Sequence, residues 1–248
     1  GKMLYYEGTV EDVTQRKEAE ERLRYRLDFE ELVATISSDF VNLSVDEIDS
    51  GIDRTLERLG YFVGGDRSFV ALLGDCDKRF NAVYEWCAEG IASTRAFLEA
   101  VDVGSFSEAF DQLVHTGLLN IPCVSAQGGP LADVRQASEA AGVHSSVCAP
   151  IAIGGQVYGL LGVAMVRCEK TWSDDEVSLI KMVAEVFANA LERKRSADAL
   201  SERLAYETLQ AELSAAFVNL PVERIDEEIQ RGIGRIAGAL EIDRGTVI

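Results

Sequence analysis

The ten residues FVNLSVDEID, beginning at Phe40, return as FVNLPVERID beginning at Phe217. The match extends without gaps from residues 15–67 onto 192–244 at a constant offset of 177, with 21 identities in 53 positions. Arg16/Arg193, Leu23/Leu200, Leu27/Leu204, Asp66/Asp243 and Arg67/Arg244 are among them. Solenoid repeats recur several times at periods of about 20 to 50 residues. A period of 177 is instead the size of a domain, so the chain is expected to hold one full unit and the opening of a second, cut from a longer polypeptide.

Around the repeated words the residues read as a helix, a break and a second helix. Residues 15–43 are highly charged, with Leu23, Leu27, Leu32 and Ile36 as a narrow apolar stripe, which suits a partner helix better than a broad core. Ser44 and Glu47 form a capping-box pair, followed by one apolar face of Ile48, Ile52, Leu56 and Leu59, with Gly60 as the expected stop. Strands are expected at RSFVALLG and FNAVYEWCAEG, a helix from Ser105 to about His115, a short extended piece at LLNIPCV, and a helix at PLADVRQASEAAG. Two apolar runs flank Gly154-Gly155, the strongest hairpin signal in the chain. Ser173 and Glu176 cap a last helix that runs on, without Pro or Gly, into the second copy.

The formal charge of −18 argues against nucleic acid as a partner, because a polyanion needs a basic face. No run of about 18 apolar residues exists, so no membrane contact is expected in this segment and the location is expected to be cytoplasmic. Five cysteines without a CxxC pair support neither a zinc site nor a thioredoxin-type motif. Two glycine-rich stretches invite other readings and lose to simpler ones. GGQVYGLLG lacks the strand-turn-helix context of a dinucleotide loop. VGGDRSF shares three letters with the diguanylate cyclase signature, but Arg67 and Ser68 replace its end, which leaves a turn before a strand. No G-x-S-x-G elbow is found, so no catalytic residue is assigned.

The opening EGTVEDVTQRKEAEERL resembles the end of a PAS sensor domain, its last strand passing into a helix through Asp12, Val13 and Thr14. The resemblance implies a contact from Asp12 to Arg16 or Lys17, so Asp12, Thr14 and Arg16 are the expected coupling residues. Residues 29–192 resemble a GAF domain through FVNLSVDEIDSGIDRTLERLG, YEWCAEGI, SSVCAPIAIGGQVYGLLGVA and TWSDDEVSLIKMVAEVFANALERKR. The implied organisation is a PAS strand (1–16), a linker helix (17–28), the GAF domain (29–192), a second linker helix (193–205) and a truncated second GAF domain (206–248). The fold implied is α+β: an antiparallel sheet of five or six strands with helices on both faces, flanked by long signalling helices.

Such units resemble those found in bacterial sensor histidine kinases of two-component systems. The expected role is therefore a non-enzymatic sensory module that binds a small molecule or relays a conformational signal to an output domain in the same polypeptide. A diguanylate cyclase regulator, a free GAF-fold enzyme using Cys87 and Cys123, and a ligand-free dimerisation spacer are the alternatives. The pocket is expected near Trp86, Cys87, Phe106, Phe110, Cys123 and Cys148, where aromatic and small apolar residues cluster. A parallel homodimer is expected through Leu23, Leu27, Ile180, Phe187, Leu191, Leu200 and Leu204. The ligand is left open. Cyclic nucleotide and bilin are disfavoured, because the N-K-x-F-x-x-x-D-E pattern of the first and the Cys-His pair of the second are missing.

Overall fold

The computed structural model describes residues 14–74, 79–218 and 229–235. The strand expected before Thr14, and with it Asp12, lies outside the described residues, as does Cys76. The chain divides into one unit of Gly1–Leu191 and another of Glu192–Ile248.

The described residues of the first unit open with α1 (Thr14–Asn42), a single 3-10 turn at Val45–Glu47, and α2 (Ile48–Phe62). The Glu47 carboxylate accepts from the Ser44 backbone N–H at 3.0 Å, as the capping-box spacing predicts. β1 (Arg67–Leu73) and β2 (Phe80–Cys87) follow, then three short helices, α3 (Arg95–Ala100), α4 (Ser107–Thr116) and α5 (Ala132–Ala140), with β3 (Leu119–Ile121) between the last two. β4 (Ser145–Ile153) and β5 (Gln156–Met165) form the expected hairpin, and α6 (Asp174–Val218) follows. Gly154 and Gly155 both have positive φ, 59° and 85°, as a two-residue hairpin turn of the primed type requires.

The five strands make one antiparallel sheet in the order β2-β1-β5-β4-β3. Strand alternation gives the sheet two different faces. Val70, Val147, Ala149, Ile151, Leu161, Val163 and Met165 point to one side, where they pack with Ile36 and Phe40 of α1, with α2, and with the start of α6. Ile48, Ile52, Leu56 and Leu59 of α2 are wholly buried there, each stabilising the fold by about 1.5–3 kcal/mol. The opposite face meets the three short helices.

Two expectations are corrected here. Gly60 does not end α2, which continues to Phe62. A Cβ at Gly60 would meet the Trp86 ring at 2.3 Å, so glycine is needed there for helix-to-strand packing. Ile180 and Phe187 are completely buried against this unit's own sheet and α1, which leaves neither free for a partner helix. Phe187 stacks on Phe40 with ring centroids 5.3 Å apart. An apolar stripe in sequence does not say which surface it meets, and on this part of α6 it meets the domain core. Leu191 is half-buried beside the same core, whereas Leu23 and Leu27 are exposed.

In the second unit, α6 continues to Val218 and residues 229–235 are helical, with Arg235 paired to Glu212. Leu200 and Leu204 are exposed.

Candidate ligand pocket

Between the sheet and α3–α5 lies a cavity of about 170 Å³. Its floor is made by cavity-facing strand residues: Arg67 and Phe69 of β1, Phe80 of β2, Leu119 of β3, Cys148 of β4, and Leu160 and Ala164 of β5. Small side chains in the middle of the sheet create the hollow. Gly162 pairs with Phe69 on one side and Cys148 on the other, and a Cβ there would lie 2.4 Å from the Phe69 ring. The roof comes from Phe97 and Leu98 of α3, Phe106, Ala109, Phe110 and Leu113 of and before α4, and Val134, Ala137 and Ser138 of α5. Apart from Arg67, Thr94 and Ser138 every lining side chain is apolar.

Of the six pocket residues named from sequence, the structure brings Phe106, Phe110 and Cys148 together in this wall. The other three lie elsewhere. Trp86 faces the opposite side of the sheet, its ring 4.8 Å from that of Tyr61, because adjacent β2 residues point to opposite faces. Cys87 ends β2 beside Arg67, with Sγ 3.8 Å from the Ala92 carbonyl. Cys123 lies past β3, with Sγ 3.0 Å from Glu169 Oε1 and 3.2 Å from Ser125 Oγ. β2 and β3 are the two edges of the sheet, four strand spacings or roughly 19 Å apart. A disulfide needs Cα atoms within about 7 Å, so Cys87 and Cys123 of one chain cannot act as a nucleophile and its resolving partner. Burial, and then the Glu85 charge, also push the Cys87 thiol up, away from thiolate chemistry. Burial raises the Cys148 thiol to about 12, so it serves the cavity as a neutral, apolar wall.

Sequence reasoning missed the residues that fasten the roof of this pocket. Glu85, whose side chain is 2% exposed, accepts from the Ser93 hydroxyl, from Thr94 N at 2.9 Å and Thr94 Oγ1 at 2.7 Å, and from Arg95 N at 3.2 Å. It thereby caps α3, the helix that sequence reasoning also missed. Burial alone would raise this carboxyl, but the hydrogen bonds from Ser93 and Thr94 and the Arg67 charge outweigh it and hold it below the ordinary range. Arg67 Nη2 donates to the Ala92 carbonyl at 2.7 Å and ties the same loop to β1. Its neighbour Asp66 accepts from Val166 N and Arg167 N, both at 2.8 Å, and from Arg167 Nη1 at 2.7 Å. Asp66 thus straps the connection from β5 toward α6. One signal could have found both: Asp66-Arg67 is a pair of adjacent identities that recurs as Asp243-Arg244.

Of the coupling residues, Thr14 and Arg16 form the first turn of α1, with Arg16 Nε 2.9 Å from Glu20 Oε1. Among the described residues no group of three His, Cys, Asp or Glu side chains could hold a metal ion, and no helix is long and apolar enough to cross a membrane.

The model of the GAF domain family matches residues 47–191. The chain belongs to the GAF family. Solved structures of the same fold include the chromophore-binding domain of a bacteriophytochrome from R. palustris, 14% identical with a TM-score of 0.58, where 71% of this chain covers 64% of that one. The phycocyanobilin-bound GAF domain of a cyanobacterial phytochrome is 21% identical with a TM-score of 0.55, covering 67% of this chain and 94% of that one. A far-red absorbing dark state with bound biliverdin IXa is 16% identical with a TM-score of 0.54, covering 66% and 99%. No curated protein matches the chain. These neighbours correct the expectation that bilin is disfavoured, since GAF domains of this fold carry bilins.

Proposed function

We propose that this GAF domain is the sensory part of a bacterial signalling protein. Its cavity takes a compact, mostly apolar ligand, and α6 carries the resulting change to an output domain in the same polypeptide. The observation that carries this reading is the roughly 170 Å³ cavity walled by apolar side chains, in a molecule whose other sheet face is close-packed. Close packing is the rule in protein interiors, and a hollow of this size is unusual unless something fills it. The proposed output is a histidine kinase, with a diguanylate cyclase as the alternative. The PAS-like opening and the repeat, read as a second GAF domain from residue 206, support a tandem sensor array. The proposed assembly is a parallel homodimer, supported by the exposure of Leu23, Leu27, Leu200 and Leu204. The coupling is a population shift between two packings of the helices, biased by cavity occupancy.

The neighbours favour a second reading, in which a linear tetrapyrrole occupies the same cavity with α3–α5 moved outward to admit it. Native mass spectrometry of the purified chain, and absorbance after incubation with biliverdin or phycocyanobilin, test the two together. The expected result is a bound mass or a visible band that Ala109→Trp removes by filling the cavity. A chain that stays empty and colourless, and signals normally in the full-length protein as Ala109→Trp, would reduce the domain to a ligand-free spacer.

A further inference from the structure

One group in the cavity wall has hydrogen-bonding capacity to spare, and, on the ligand-binding reading above, it narrows what the ligand is. Among the described residues three polar side chains line the cavity: Arg67, Thr94 and Ser138. Two of them are spent inside the protein. Arg67 Nη2 donates to the Ala92 carbonyl at 2.7 Å, and Nε lies 3.3 Å from Glu85 Oε1, sealed beneath the surface. Thr94 Oγ1 donates to Glu85 Oε1 at 2.7 Å. Ser138 is different. Its backbone carbonyl accepts from Val143 N at 2.8 Å. Its hydroxyl has no hydrogen-bond partner among the described residues, and the oxygen keeps accessible surface. Val134, Ala137 and Ser138 of α5, with Ala141 just past it, all line the cavity and follow the i, i+3, i+4, i+7 spacing of one helical face. Ser138 therefore stands on the face of α5 that roofs the cavity, beside alanines too small to cover it.

We infer that the ligand is an uncharged molecule of about one ring with a single hydroxyl, as in a phenol, which shares a hydrogen bond with Ser138 Oγ. Size sets the ring: dry apolar cavities of about 150 Å³ admit benzene, and this one is about 170 Å³. Charge sets neutrality. Arg67 is the one cation among the described lining residues and Glu85 already balances it, so an anionic ligand would bury a net negative charge. The single free wall hydroxyl sets the polar count, because a second polar group on the ligand would be buried without a partner. A ligand hydroxyl suits a serine in particular, since each can donate to the other or accept from it.

Three probes of similar size separate these terms: phenol, toluene, which has a methyl in place of the hydroxyl, and benzoate. NMR titration of the whole chain should show phenol and toluene binding, and benzoate at least about tenfold weaker than either. Ala109→Trp should remove binding of both, which places them in the cavity. Ser138→Ala puts a good helix former at a half-buried position and should fold normally. It should lower phenol affinity about fivefold, the worth of one neutral hydrogen bond, and leave toluene unchanged. Unchanged phenol affinity in Ser138→Ala, an equal loss for both probes, or benzoate as the tightest probe would overturn the inference and leave the apolar cavity standing. Failure of all three at millimolar concentration would overturn the ligand-binding reading itself.

Discussion

Gly162 gives the sharpest handle on the cavity. It sits on β5 between Phe69 and Cys148, and a Cβ added there would stand 2.4 Å from Phe69 Cζ, 2.7 Å from Phe69 Cε1 and 3.0 Å from Cys148 Sγ. Carbon contacts are comfortable at about 3.5–4.0 Å, so in Gly162→Ala the Phe69 ring must retreat by more than roughly 1 Å. The cavity lies beside that ring. The retreat moves it into empty space and removes roughly 30 Å³, the size of the added methyl group.

Overpacking a filled core costs about 1–3 kcal/mol. Here the hollow relieves the clash, and replacing a strand glycine stabilises by about 0.4–1 kcal/mol through the unfolded chain. The expected net change in urea-unfolding stability is therefore within about 1 kcal/mol. The cavity shrinks by about a fifth, so the affinity for a small aromatic probe such as benzene should fall measurably in NMR titration. Loss of about 3 kcal/mol with the same variant would mean that the ring has nowhere to go. Unchanged affinity in a stable variant would equally refute the geometry.

Phe187→Ala should cost about 3–5 kcal/mol in urea unfolding, because the ring is wholly buried; Leu200→Ser/Leu204→Ser should leave stability nearly unchanged and lower the mass seen by light scattering. The Glu85 carboxyl is held low in the folded protein, so its contribution is complete above the ordinary glutamate value of about 4.3 and is lost as pH falls through the folded value. Urea-unfolding stability should therefore hold from neutral pH to about 4.3 and fall below it; an equal fall in Glu85→Gln would assign the loss to other groups. In the full-length protein, one residue inserted near Ala197 turns the helix by about 100° and should break signal control. Seven inserted residues restore the face to within about 20° and should retain it; equal behaviour of the two folded proteins would make the helix a passive tether.

Elements announced by local chemistry were legible before the structure. The capping residues Ser44 and Ser173, the Gly154-Gly155 turn and the apolar face of α2 each carry a short-range physical signal. Faces were harder. Trp86 and Cys87 are adjacent, one on the helix side and one on the cavity side, and no count along one strand says which side will be hollow. α3 escaped notice because its capping group, Glu85, comes from β2, eight residues before the nearest hydroxyl it binds, Ser93. Ile180 and Phe187 were misassigned because a buried domain helix and a dimer helix share one periodicity.

The repeated pair Asp66-Arg67 brings these threads to one place. Consecutive strand residues point to opposite sides, so the pair reaches two elements at once. Arg67 ties β1 to the loop before α3, the roof of the cavity. Asp66 ties the start of β1 to Val166 and Arg167, in the connection that leads from β5 to α6. Further along that connection Lys170 binds Glu176 at 2.7 Å, in the first turn of α6, and also the Val63 carbonyl, just past the end of α2. The guanidinium that fastens the roof loop therefore sits one residue from the strap that holds the base of α6. The distance from the roof loop to α6 is covered by a peptide bond and a few polar contacts, which have discrete made and broken states. Contacts of that kind can be biased from either end, by the cavity roof or by the helix.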